Sequence, residues 1–117
     1  MKTHVGGCHC GKVRYEVTVD PTQAIACNCS NCAKHGLWLT FAPADQFRLL
    51  SGVDDLVEYQ FNKHVIDHLF CRACGVESFA RGKTKDGRDT FAINVRCLDG
   101  VDISALDPKP FDGKSLR

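Results

Sequence analysis

The sequence predicts an all-β fold, on three observations. Residues 12–19 alternate without a break: Val13, Tyr15, Val17 and Val19 on one face, Lys12, Arg14, Glu16 and Thr18 on the other. That period of two is the signature of a half-buried strand. Further short apolar or aromatic runs follow, bounded by Gly, Pro, Asp and Ser. No window carries the 3.6-residue periodicity of an amphipathic helix three turns long.

The elements follow in order. Lys12–Val19 is the first clear strand, and Asp20-Pro21 ends it. Gly36–Phe41 is aromatic and apolar and predicts a second strand. Phe47–Leu50 and Leu56–Phe61 flank Ser51-Gly52-Val53-Asp54-Asp55, which predicts a hairpin. Val65–Phe70 leads into a turn at Cys71, and Val76–Ala80 leaves it. Thr90–Val95 follows the turn at Asp86-Gly87. After Asp107-Pro108 the chain is polar with two prolines, which predicts a single domain over 1–107 and a loose tail over 108–117.

A chain of 117 residues is long enough to bury a core, at the size where a metal staple helps. The formal charge of +1 carries no basic stripe or run, so nucleic acid is not expected as a partner. Seven bound thiolates with two Zn2+ would bring the charge to about −2. Met1 to Gly7 has no apolar segment of a signal peptide. No apolar run approaches the roughly 18 residues of a membrane span. The expected location is cytoplasmic, where thiols stay reduced.

The eight cysteines carry the chemistry. Cys8-His9-Cys10 is closed by Gly11, and Cys71-Arg72-Ala73-Cys74 by Gly75. Glycine allows the positive φ that metal-binding turns need. Each pair supplies two thiols, and together they can complete a four-thiolate zinc site, against the alternative that the pairs bind separate metals or none. Cys27-Asn28-Cys29-Ser30-Asn31-Cys32 supplies three and leaves one coordination position open. Closed sites hold folds, and open sites do chemistry. Disulfides are the competing account, but the reducing compartment and the strain of bridging near neighbours argue against them.

Other residues carry less signal. His35, three residues after Cys32, is the local candidate for a fourth ligand of the middle site, against a solvated turn histidine. His9 is a surface or supporting group, and His4, His64 and His68 have no local ligand partner. Cys97 is a buried thiol. Trp38 and Phe41 are strand core before they are walls of a site. Lys34, Arg72, Arg81 and Arg96 are solvated charges that a carboxylate ligand would meet.

The segments Gly7–Val17, Cys27–Cys32, Phe70–Gly75 and Ile93–Leu98 together resemble the glutathione-dependent formaldehyde-activating enzyme family, also called the CENP-V/GFA domain. The likeness covers nearly the whole chain, and the combination CxC, CxCxxC, CxxCG is specific. It implies an Mss4-like, zinc-stapled β fold with two Zn2+ sites. It implies a structural zinc on Cys8, Cys10, Cys71 and Cys74, and a catalytic zinc on Cys27, Cys29 and Cys32. It implies a carbon–sulfur lyase joining glutathione and formaldehyde into S-hydroxymethylglutathione. Two alternatives stand beside a zinc enzyme on a small thiol. One is a non-enzymatic zinc module for binding or assembly, favoured by a fourth protein ligand at the middle site. The other is a thiol redox protein resembling methionine sulfoxide reductases, which carry two CxxC pairs where the first pair here is CxC. Ferredoxin cysteine spacings do not occur.

Overall fold

Ten strands and one short helix follow one another in the computed structural model, which describes residues 1–60, 66–84 and 86–116. The strands are β1 (Lys2–Gly7), β2 (Arg14–Val19), β3 (Ile25–Cys27), β4 (Trp38–Pro43) and β5 (Phe47–Ser51). Then come β6 (Leu56–Tyr59), β7 (Asp67–Cys71), β8 (Phe79–Lys83), β9 (Asp89–Asn94) and β10 (Lys109–Phe111). The helix α1 spans Ser30–His35 between β3 and β4. Its six residues fall well short of three turns.

The strands form two sheets. One has the order β1-β2-β5, the other β10-β3-β4-β9-β8-β7-β6. Their facing sides make the main core. From the smaller sheet come Tyr15, Val17 and Val19 with Phe47 and Leu49; from the larger come Ala42, Leu69, Phe79 and Ile93. Val13, Tyr15, Val17 and Val19 are all at most 2 % exposed, so the alternation of β2 marks its core face. Aromatic rings lock the layers: Phe47 stacks on Phe91 at 4.1 Å, and Tyr15 meets Phe79 edge-on at 5.5 Å. The Tyr15 hydroxyl donates to the Ser78 carbonyl at 3.0 Å. The same carbonyl also accepts from the Asn94 N–H at 3.1 Å, so Tyr15→Phe removes one of two donors and urea unfolding should show a loss of about 0.5–1.5 kcal/mol. Tyr15→Ala also opens a cavity and should cost about 3–5 kcal/mol.

The structure corrects the expected hairpin. β5 pairs antiparallel with β2, whereas β6 pairs with β7 in the other sheet. The connection is therefore a crossover between sheets. Gly52 turns it with φ of 91°, and a helical turn over Val53–Asp55 redirects the chain. The Ser51 hydroxyl fastens it by donating to the Lys12 carbonyl at 3.0 Å. Phe61, the expected end of that strand, and Val65, the expected start of the next, lie outside the described residues.

The expected loose tail is corrected too. β10 pairs in parallel with β3, Lys109 opposite Ile25 and Phe111 opposite Cys27. The Asn28 backbone N–H donates to the Phe111 carbonyl at 3.0 Å. The Asn28 side-chain amide donates to Asp112 at 3.0 Å. β4 starts two residues later than expected because Gly36, φ 65°, caps α1. β8 starts later because Val76 is used by the preceding turn, its carbonyl accepting from Cys71 N–H at 3.1 Å.

Candidate metal centres

The first centre is assembled by two tight turns. Before β2, the Cys8 N–H donates to the Val13 carbonyl at 3.1 Å, and the Val13 N–H donates back to Cys8 Sγ at 3.3 Å. Gly11 takes φ of 84° within this loop. After β7, the Gly75 N–H donates to the Cys71 carbonyl at 2.8 Å, with Gly75 at φ 79°. The Ala73 N–H points at Cys71 Sγ, 3.4 Å away. The Arg72 N–H donates to the Asp55 carbonyl at 2.8 Å, which ties this turn to the sheet crossover.

The two turns bring the Sγ atoms of Cys8, Cys10, Cys71 and Cys74 within 4.8 Å of one another. Cys8–Cys10 and Cys10–Cys71 are each 3.6 Å apart. A tetrahedral zinc with Zn–S near 2.3 Å spaces its sulfurs about 3.8 Å apart, so this cluster fits Zn2+ closely.

The second centre sits near the β10 end of the larger sheet. Cys27 ends β3, Cys29 is the N-cap of α1, and Cys32 lies inside the helix. The Cys32 N–H points at Cys29 Sγ, 3.5 Å away. The three sulfurs lie within 4.8 Å of one another. Cys29 and Cys32 are buried against Leu37 and Leu39. Burial, and then the neighbouring Cys29 and Cys27 thiols, push the Cys32 thiol well above its usual range. Three thiols this close could hold a metal ion, and a soft donor set of this kind favours zinc over magnesium or calcium. Gly113 packs so close that a Cβ there would collide with Cys27 Sγ.

His35 does not join the three thiols; among the described residues they stand as a group of three. Its Nδ1 lies instead 3.5 Å from Glu77 Oε1. Glu77 belongs to a buried network that sequence reasoning missed. Its Oε2 is 2.9 Å from His68 Nδ1, which is also 3.1 Å from the Asn31 amide. With Glu77 ionised, His68 Nδ1–H donates to Glu77 Oε2. Asn31 lies between two thiols of the second centre. His68 is three residues before Cys71, and Glu77 three after Cys74. That symmetry about the CxxC pair was the available signal, but only folding brings Asn31 to it.

Beside this network is a cavity of about 450 Å³. Ser30, Asn31, Lys34 and His35 of α1 form one wall; Tyr59, Phe70, His68 and Glu77 form the other.

The family model for the glutathione-dependent formaldehyde-activating enzyme matches residues 3–110. The chain belongs to this family. A crystal structure of a Rhodobacter sphaeroides protein superposes with a TM-score of 0.79 at 31 % identity, covering 91 % of this chain and 97 % of that one. Against the background of the formaldehyde-activating family, the remaining candidates sort readily. Trp38 packs on the main core, with the Arg96 guanidinium 4.6 Å above its ring. Phe41 is exposed on β4. Arg81 pairs with Asp67 at 2.7 Å, and Lys34 alone of the four cations lines the cavity. His9 is exposed on its turn. Burial pushes the Cys97 thiol up to about 11. No helix among the described residues is long and apolar enough to cross a membrane.

Proposed function

We propose that the protein is a zinc-dependent enzyme that activates a small thiol and adds it to a small aldehyde, or reverses that addition. The observation that carries this reading is the group of three converging thiols with no fourth protein donor grouped with it among the described residues. Cys27, Cys29 and Cys32 hold the reactive centre; Cys8, Cys10, Cys71 and Cys74 hold the structural one. Family membership makes glutathione and formaldehyde the first pair to test, with S-hydroxymethylglutathione as the adduct.

Zinc at the three-thiol centre would hold a substrate sulfur deprotonated at neutral pH. The chain's own part is to position it. Three thiolates carry more negative charge than three imidazoles, which suits a sulfur nucleophile better than water activation. Burial of Cys29 and Cys32 keeps bulk water from one side of the centre. The substrate sulfur forms a C–S bond to the carbonyl carbon as C=O becomes C–O, and the proton lost from the thiol ends on that oxygen. Collapse of the adduct runs the same steps backwards, as in a carbon–sulfur lyase.

Cobalt substitution provides the test. Glutathione or 2-mercaptoethanol titrated into the cobalt protein should add intensity to the thiolate-to-metal absorption band. Exchange NMR on formaldehyde and glutathione should show a faster exchange with the zinc protein and none of that acceleration with Cys29→Ser. A silent spectrum and an unchanged exchange rate would instead favour a zinc-binding interaction module.

A further inference from the structure

The cavity beside α1 contains two opposite charges with unmet needs. At its floor, the Glu77 side chain is 3 % exposed, and its Oε1 has no hydrogen-bond partner among the described residues. The nearest cation candidate, His35 Nδ1, stands at 3.5 Å, too long for a good hydrogen bond. A buried carboxylate oxygen without a donor is costly and calls for an explanation. At the rim, the Lys34 ammonium is exposed and forms no ion pair among the described residues. Tyr59 and Phe70 offer aromatic surface between these ends.

We propose that this cavity recognises a zwitterionic α-amino-acid group, the end of the thiol substrate that does not react. That the ligand is a substrate rests on the thiol-activating reading; the charge recognition rests on the cavity alone. The ligand ammonium donates to Glu77 Oε1, with the half-exposed His35 ring moving aside, and aromatic faces favour the cation further. The ligand carboxylate meets Lys34. His68 keeps Glu77 oriented through Oε2 and leaves Oε1 for the ligand. Other charge patterns fit less well. A dianion such as phosphate would face the Glu77 carboxylate, and a simple amine would leave Lys34 unused. The cavity's volume is within the range of small-ligand sites. Ser30 and Asn31 line it and lie between Cys29 and Cys32 in the chain, which sets the cavity beside the segment that carries the three-thiol centre.

The test uses ligands without a free thiol, so it does not depend on metal ligation. Two-dimensional NMR of the zinc-loaded protein is titrated with S-methyl-L-cysteine, 3-(methylthio)propionate and 2-(methylthio)ethylamine. S-methyl-L-cysteine should shift the amides of Ser30, Asn31, Lys34 and Phe70, with at least tenfold higher affinity than either singly charged analogue. Lys34→Ala should erase its advantage over the amine, and Glu77→Gln its advantage over the carboxylate. Lys34 is exposed, so its variant decides the matter even if Glu77→Gln fails to fold. Equal affinity for the three ligands, or shifts that miss these residues, would overturn the proposal. Titration of the cobalt protein with 2-mercaptoethanol, which has neither charge, reports separately on thiol activation.

Discussion

Cys74→Ser should abolish the folded state, whereas Cys29→Ser should leave a folded but inactive protein. The four-thiol cluster joins the turn before β2 to the turn after β7, across the 61 residues that separate Cys10 from Cys71. Closing so long a loop costs entropy that rises only slowly with its length. Structural zinc supplies on the order of 10 kcal/mol or more, comparable to the whole net stability of about 5–15 kcal/mol for a domain. Loss of one ligand there is therefore global. The three-thiol centre closes only the short stretch from Cys27 to Cys32. Serine is also a good N-cap, so Cys29→Ser retains the start of α1. Circular dichroism and thermal melts on the two variants measure the difference. Equal destabilisation would refute the division of labour between the centres.

A chelator should remove the metals in two stages. The three-thiol centre has one protein ligand fewer, and Cys27 is only partly buried. Its zinc should leave first, with the far-ultraviolet spectrum unchanged. The second zinc should leave only with unfolding, because its ligands and the turns that carry them form together. Elemental analysis of protein withdrawn along an EDTA titration, paired with circular dichroism, follows both stages. Loss of both metals in one step that tracks unfolding would contradict the assignment.

Both clusters were legible in the sequence because metal-ligand spacing is local: CxC, CxCxxC and CxxC are each set by one turn. Pairing of the first cluster with the third followed from ligand count and is matched by the 3.6 Å between the Cys10 and Cys71 sulfurs. β2 was legible because its alternation spans eight residues. β1 was not, since Lys2-Thr3-His4 is polar and largely exposed, and the strand is specified by backbone pairing with β2. β3 is only three residues long, too short for any period to register. The misplaced hairpin has a similar origin. The sequence predicts strands at Phe47–Leu50 and Leu56–Phe61, but partner choice depends on which core each side chain enters. Phe47 goes to the aromatic layer with Phe91, and β6 goes to β7. The Asn31–His68–Glu77 network was invisible for the same reason: three polar residues on separate elements have no sequence pattern until the fold joins them.

The pairing of β10 with β3 changes which strand borders the larger sheet. Without β10, Ile25–Cys27 would be an open edge, offering unpaired N–H and C=O groups to any neighbouring chain. A thiol of the second centre would lie on that edge, within reach of intermolecular pairing and oxidative cross-linking. β10 takes the border position with Lys109, Pro110 and Phe111. Proline has no N–H to continue a ladder, and lysine places charge where another strand would dock. The sheet thus ends in a strand poorly suited to recruiting an eleventh. The segment that carries the three-thiol cluster is set one strand inside a border that discourages self-association.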